Sequence, residues 1–199
     1  MKTLFLSASP RKRNSRSRLL SNDVLANLKS KNPDMSVESM DLFEVDLPDI
    51  LQYTADAKYE TMMGGSPTDT NWEKVLKMSK DFASYDCYVL GVPMWNFTIP
   101  YKLKHYIDVV VQPGVCFQYT QNGPEGMLSG KKMYIVATHG GDYSQAPFNQ
   151  FNFLEPYLRS IFGFIGITDI EVITAQPLDV SAEMSIGAID AAKQAISQL

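Results

Sequence analysis

Apolar residues along this chain fall into two patterns that take turns. Thr3-Leu4-Phe5-Leu6 is a continuous run ending in Ser7-Ala8-Ser9-Pro10, as expected of a strand buried on both faces that runs into a loop. Beyond that loop Leu19, Leu20, Val24, Leu25 and Leu28 recur at helical spacing until Asn32-Pro33-Asp34 interrupts them. Ser36 to Leu42 then alternates in the manner of a half-buried or edge strand. The opening unit is β-loop-α-β.

From Phe43 to Thr70 the pattern weakens, and Pro48, Gly64, Gly65 and Pro67 break it into short helical pieces within a long excursion that could cover a site. Trp72, Val75, Leu76 and Phe82 restore a helical stripe, and Cys87 to Val92 follows as a central strand stopped by Pro93. A helix over about Pro100 to Val110, a strand over Lys131 to Thr138, a helix over about Asn152 to Phe162 and a last strand over Ile170 to Ala175 continue the alternation. The stretch from Ala182 to Leu199 closes the chain as an amphipathic helix. About five strands joined through helices predict a doubly wound α/β fold: a parallel sheet with helices on both faces. In such sheets a ligand lies beyond the carboxyl ends of the strands, where the chain's progression reverses. The loops after Leu6, Val92 and Thr138 therefore carry the functional expectation.

Composition changes this picture little. With 199 residues, 45% hydrophobic and 20% charged, the chain has the make-up of an ordinary globular protein and the length of one generous domain. A net charge of −4 gives no reason to expect nucleic-acid binding, although Arg11, Lys12, Arg13, Arg16 and Arg18 form a local basic cluster. Cys87 and Cys116 lack the spacing of a zinc site or a redox dithiol and read as buried thiols. No run approaches the roughly 20 apolar residues of a membrane span, and Thr3 to Leu6 is far shorter than a signal-peptide core. A cytoplasmic location without nucleic-acid or membrane partners is the expectation.

Each of the three loops is unusual. The first, Ser7 to Ser17, sets Ser9, Ser15 and Ser17 around the start of a helix, where unpaired N–H groups and a partial positive charge favour an anion and small hydroxyls add donors. The same residues also suit a polar turn with Ser15 as an N-cap. Neither GxGxxG nor GxxxxGK[ST] is present, so a single terminal phosphate fits better than a pyrophosphate or a triphosphate, with Arg16 as the reinforcing cation. The second loop, Pro93-Met94-Trp95-Asn96-Phe97-Thr98-Ile99-Pro100, places large apolar groups and one amide at a strand end. This suits a flat heteroaromatic ring whose edge is hydrogen-bonded by Asn96 and backbone amides, or a hydrophobic plug. In the third, Thr138-His139-Gly140-Gly141-Asp142, the glycine pair permits close backbone approach to a ligand or an ordinary turn, and His139 is read as a cofactor contact. The first loop offers no nucleophilic Cys or Asp for a phosphatase, a response regulator's acidic residues are missing, and no GxSxG marks a serine hydrolase.

These stretches together resemble the FMN-dependent NADH-azoreductase and quinone-reductase family of flavodoxin-like proteins over nearly the whole chain. Ser9 with Ser15-Arg16-Ser17 resembles the family's phosphate-binding elements, and Met94-Trp95-Asn96-Phe97 and Thr138-His139-Gly140-Gly141 resemble its two ring-contacting loops. Gly114 to Tyr119, Asn122 to Gly126 and Gly163 to Asp169 resemble further characteristic stretches. Trp95 stands where Tyr is common and His139 where Arg is frequent, and Asp142 to Asn152 is slightly longer than usual. The resemblance implies a single flavodoxin-like FMN-binding domain over residues 1–199 that forms a homodimer with FMN sites at the interface. Tyr119 and Phe164 would line the substrate space. It implies tightly but non-covalently bound FMN, with NADH or NADPH as donor in a two-electron ping-pong reduction of quinones and azo compounds. No side chain is then needed as a nucleophile, because the flavin carries the chemistry. The competing expectation is a flavodoxin-type carrier of single electrons, against which stand the moderate net charge and the long segments Phe43 to Thr70 and Gln112 to Gly130.

Overall fold

The computed structural model describes residues 1–199, and its elements follow the alternation in the sequence. In chain order they are β1 (Lys2–Ser7), α1 (Arg16–Lys31), β2 (Ser36–Asp41), α2 (Gln52–Met62), α3 (Thr70–Ala83), β3 (Cys87–Pro93), α4 (Tyr101–Val110), β4 (Phe117–Thr120), β5 (Gly123–Gly126), β6 (Lys132–Thr138), α5 (Leu154–Phe164), β7 (Asp169–Ala175) and α6 (Ala182–Ser197). Five strands form one parallel sheet in the order β2-β1-β3-β6-β7. The expected flavodoxin-like, doubly wound five-stranded architecture is thus present, with the reversal of chain direction between β1 and β3.

The central strands are apolar at consecutive positions because each presents alternate residues to two separate cores. Leu4, Leu6, Tyr88, Leu90, Val92, Met133, Ile135 and Ala137 face the larger core, which they share with α3, α4 and α5. Phe5, Cys87, Val89, Tyr134 and Val136 face the smaller one, closed by α1 and α6 through Leu20, Val24, Leu28, Ala188, Ala192 and Ile196. No helix is long and apolar enough to cross a membrane.

Two features differ from expectation. β2 is the sheet edge, one of the two places expected for it, but Ser36 to Ser39 are exposed at consecutive positions instead of alternating. The segment between Gln112 and Gly130 contains an antiparallel hairpin, β4 with β5, that no alternation in Gly-Pro-Glu-Gly announces. It is seated where Gly126 meets the end of α5: a Cβ on Gly126 would come within 2.3 Å of the Ile165 carbonyl carbon and the Gly166 nitrogen.

Register makes the strand ends level. Ser7 pairs with both Asp41 and Gly91, and Thr138 pairs with both Pro93 and Ala175, so the loops leaving β1, β3, β6 and β7 emerge on one rim. Helix α1 returns across that rim against β3. Gly91 makes this possible, since a Cβ there would lie 2.8 Å from Ser21 Oγ and 3.3 Å from the Ser17 carbonyl oxygen. Gly91→Ala should therefore cost roughly 1–3 kcal/mol, the usual range for overpacking. Equilibrium urea unfolding checks this; an unchanged midpoint would show that the helix can shift without loss.

Candidate functional site

The loop after β1 continues the sheet for one residue, with the Ala8 N–H donating to the Gly91 carbonyl (2.9 Å), and then turns into α1. Ser15 caps that helix, its Oγ accepting from the Arg18 N–H at 3.2 Å. The N–H groups of Arg16 and Ser17, ahead of the first helical bond, remain available to an anion. Ser9, Ser15 and Ser17 are all buried, at 2%, 2% and 1% exposure. Ser15 Oγ and Ser17 Oγ lie 3.1 Å apart, which uses one hydroxyl proton, and Ser9 Oγ accepts from the Arg11 N–H at 3.4 Å. The Ser9 hydroxyl proton and one of the Ser15/Ser17 pair have no acceptor in the chain. Buried donors of this kind call for a partner.

The loop after β3 is tied to the next strand by the Met94 N–H donating to the Thr138 carbonyl at 2.8 Å. Trp95 and Thr98 then exchange both backbone hydrogen bonds, at 2.9 and 3.0 Å, around a two-residue turn. Asn96 and Phe97 both carry positive φ, 47° and 71°, as the tightest hairpin turns demand. Asn tolerates this; a Phe there is strained by an amount of order 1–3 kcal/mol. The surroundings hold it: the Phe97 ring packs against Phe151 and Tyr143, and its carbonyl accepts from the Phe153 N–H at 3.0 Å.

The third loop is built jointly by the ends of β6 and β7. The His139 N–H donates to Ala175, and the Leu178 and Asp179 N–H groups donate back to the Gly140 carbonyl at 3.1 and 2.9 Å. His139 is 1% exposed, and its Nδ1 lies 2.7 Å from Gln176 Oε1. That same oxygen accepts the Tyr143 N–H at 3.1 Å, so it is an acceptor toward the ring as well and His139 Nδ1 carries the proton. Nε2 is then left as a buried lone pair with no partner in the chain. Burial pulls the imidazole pKa below its ordinary value, against the smaller opposing effects of Gln176, Glu155 and Asp142. The ring is neutral at physiological pH.

These three loops close around one cleft of about 120 Å³, lined by Ser9, Ser15, Arg16 and Ser17, by Pro93, Met94 and Trp95, and by Thr138, His139 and Gly140. The volume suits one end of a ligand. Trp95 is also a wall of a larger neighbouring cavity of about 540 Å³, where Asn96 lies with Ile99, Tyr101 and Tyr157. Of the residues singled out in the sequence, Asn96, Phe97, Gly141, Tyr119 and Phe164 do not line the first cleft. Tyr119 and Phe164 flank Phe117 at the hairpin and are exposed. Sequence reasoning missed Leu178 and Asp179, which complete the cleft, and left Arg11 unplaced. The only local signal was the loop Gln176-Pro177-Leu178-Asp179 at the end of the last strand.

The whole chain, residues 1–199, matches the family described as Flavodoxin-like fold. A relative described as an FMN-dependent NADH:quinone oxidoreductase, from Dechloromonas aromatica (strain RCB), is 37% identical over 206 residues, covering 100% of this chain and 99% of its own. One of the same description from Rhizobium meliloti (strain 1021) is 36% identical over 200 residues, covering 100% of this chain and 96% of its own. Among solved structures, an FMN-dependent NADH-azoreductase from Bacillus anthracis str. Ames Ancestor, in complex with FMN, superposes with a TM-score of 0.86 at 27% identity, over 99% of this chain and 98% of that one.

The buried neutral histidine has a consequence for stability. Its folded-state pKa lies below the ordinary 6.5, so the unfolded chain binds the proton more readily. His139 then contributes full stability above about pH 6.5, and this is lost as the pH falls toward the folded-state value. The urea midpoint of the wild type should drop more between about pH 7 and pH 5 than that of His139→Gln. Equal drops would show that His139 is not held neutral by the fold.

Proposed function

Since this chain belongs to the flavodoxin-like family of FMN-dependent NADH:quinone oxidoreductases and azoreductases, we propose that it binds FMN and, with NADH or NADPH as donor, reduces quinones and azo compounds. The observation that carries this reading is the set of buried hydroxyl protons at the start of α1 that have no acceptor in the chain. A phosphate ester offers only acceptors, so it matches Ser9, Ser15 and Ser17 together with the N–H groups of Arg16 and Ser17. An apolar ligand end would leave that set unsatisfied, and a phosphate's three terminal oxygens spread acceptors over the donors more widely than a carboxylate's two.

The rest of the cleft suits the remainder of the same molecule. Pro93, Met94 and Trp95 on the cleft would hold the ring with Asn96 and Phe97 beside it, the strained Asn96-Phe97 turn keeping backbone amides available at its edge. Thr138, Gly140 and Gly141 would let the backbone approach closely, and the orphaned Nε2 of His139 supplies an acceptor for a ring N–H. When bound, FMN supplies the hydride acceptor and two-electron donor of a ping-pong cycle. The chain's own part is to bind, orient and shield from water, and Gln176 fixes the proton of His139 at Nδ1.

A homodimer completes this reading. Trp95, Phe97, Tyr101, Phe148, Phe151 and Phe153 are large apolar side chains exposed around the second loop, more than a free surface usually leaves together. A second copy set against them would cover the ring site, with Tyr119 and Phe164 lining the substrate space. A single FMN-binding domain over residues 1–199 and a cytoplasmic location fit this account.

Purified protein loaded with FMN and mixed anaerobically with NADH or NADPH should lose its yellow absorbance within seconds, and a quinone should restore it. Stopped-flow spectroscopy measures both phases. If neither nicotinamide bleaches the flavin, the oxidoreductase reading fails in favour of the single-electron carrier.

A further inference from the structure

Five cations crowd the first loop and the start of α1, but most of their charge is already committed. Lys12 pairs with Glu44 at 2.6 Å, and Arg18 pairs with Asp41 while its Nε donates to Ser7 Oγ at 3.1 Å. Arg16, read from the sequence as the phosphate's cation, turns its guanidinium toward the loop after β7. One terminal nitrogen donates to the Leu178 carbonyl and lies 3.4 Å from Ser185 Oγ, and the other pairs with Asp179. Arg13 has no carboxylate partner but does not line the cleft. Arg11 does line it, and makes no ion pair.

The Asp179 backbone is tied to the third loop, and its carboxylate, 65% exposed, stands at the rim of the cleft against Arg16. Its N–H donates to the Gly140 carbonyl at 2.9 Å, and its second carboxylate oxygen occupies the space a side chain at position 140 would need, 2.7 Å from an ideal Cβ there. A carboxylate is thereby built into the wall of a cleft whose buried hydroxyls and helix N-terminus favour an anion. A phosphate monoester is close to doubly charged at neutral pH. It meets one free guanidinium, one guanidinium shared with a carboxylate, and that carboxylate itself.

We propose that Asp179 determines the selectivity of the phosphate end: it takes up the charge of Arg16 and leaves Arg11 as the guanidinium that answers to the phosphate. This rests on the FMN reading above. Removing the carboxylate lifts a like-charge neighbour from the anion and frees Arg16 to turn toward it, so Asp179→Asn tightens phosphate binding. Removing Arg11 weakens it.

The test compares FMN with riboflavin, the same ring system without a phosphate, using dissociation constants from quenching of flavin fluorescence on the full chain freed of flavin. In Asp179→Asn the preference for FMN over riboflavin should rise about fivefold, and in Arg11→Gln it should fall about tenfold. The riboflavin constant should stay within about twofold in both, because Asp179→Asn keeps the shape of the side chain beside Gly140 and Arg11→Gln removes a charge without altering the loops that carry Met94 and Trp95. A preference that stays the same or falls in Asp179→Asn overturns the inference, as does a riboflavin constant that moves in step with that of FMN. Wild-type protein with no preference for FMN over riboflavin overturns the phosphate reading itself.

Discussion

Helix α1 packs against β3 so closely that Gly91 has no room for a side chain, with Ser21 Oγ and the Ser17 carbonyl occupying the space. That contact fixes where the helix begins. Because α1 cannot stand off from the sheet, its first turn lies over the level rim formed by Ser7, Pro93, Thr138 and Ala175. The free N–H groups of a helix start are useful only where a ligand can reach them. Ser15 serves the helix and the cleft together, accepting the Arg18 N–H while its hydroxyl meets Ser17. The cluster of free donors at the helix start is therefore a consequence of how one helix packs.

The other two loops inherit their positions from the same rim. Each continues the hydrogen bonding of its strand before departing: Met94 to Thr138, His139 to Ala175, and Leu178 and Asp179 back to Gly140. Loops anchored in this way are extensions of the sheet and hold side chains with a strand's precision. The positive φ of Phe97 is the clearest sign of the constraint. A bulky residue keeps that conformation only where its neighbours over-determine it, and here the aromatic rings of Phe151 and Tyr143 and the Phe153 N–H do so.

How much of this was legible depended on sequence distance. The serine loop could be read because hydroxyls, helix start and preceding strand lie within eleven consecutive positions, 7–17. The central strands could be read because burial on both faces leaves continuous apolar runs such as Cys87 to Val92, whereas their order in the sheet is seen only in the structure. Local patterns failed at β5, where Gly-Pro-Glu-Gly carries neither alternation nor β-branched residues; it is a strand through its pairing with β4, and Gly126 lets it sit against Ile165 and Gly166. They failed again at Asp179. Arg16 finds that carboxylate 163 positions away, through a meeting of α1 with the β7 loop that no spacing rule contains. A charge in a sequence says little about its partner, and Arg16 and Arg11 differ entirely in this respect.

The ionisable groups of the chain also bear on where reactivity resides. The Cys87 thiol is pushed up to about 11 by burial, at the end of β3 opposite the cleft, and burial raises Cys116 as well, beside Ser79 and Val110. Neither is poised as a nucleophile, since the thiolate is the reactive form. His139 is close to the cleft but is kept neutral, with its proton fixed at Nδ1 by an amide oxygen that a backbone N–H also uses. A catalytic base would need a partner that gains from its protonation, such as a carboxylate on the far ring nitrogen. The amide of Gln176 carries no charge to balance an imidazolium, and its effect on the ring is smaller than that of burial. The cleft has donors at the helix start and apolar walls, and His139 on its lining keeps a buried, unpartnered Nε2 lone pair. On the function proposed above, that arrangement would take a ligand with an anionic end, a flat middle and a polar edge, and would leave the electron chemistry to what is bound.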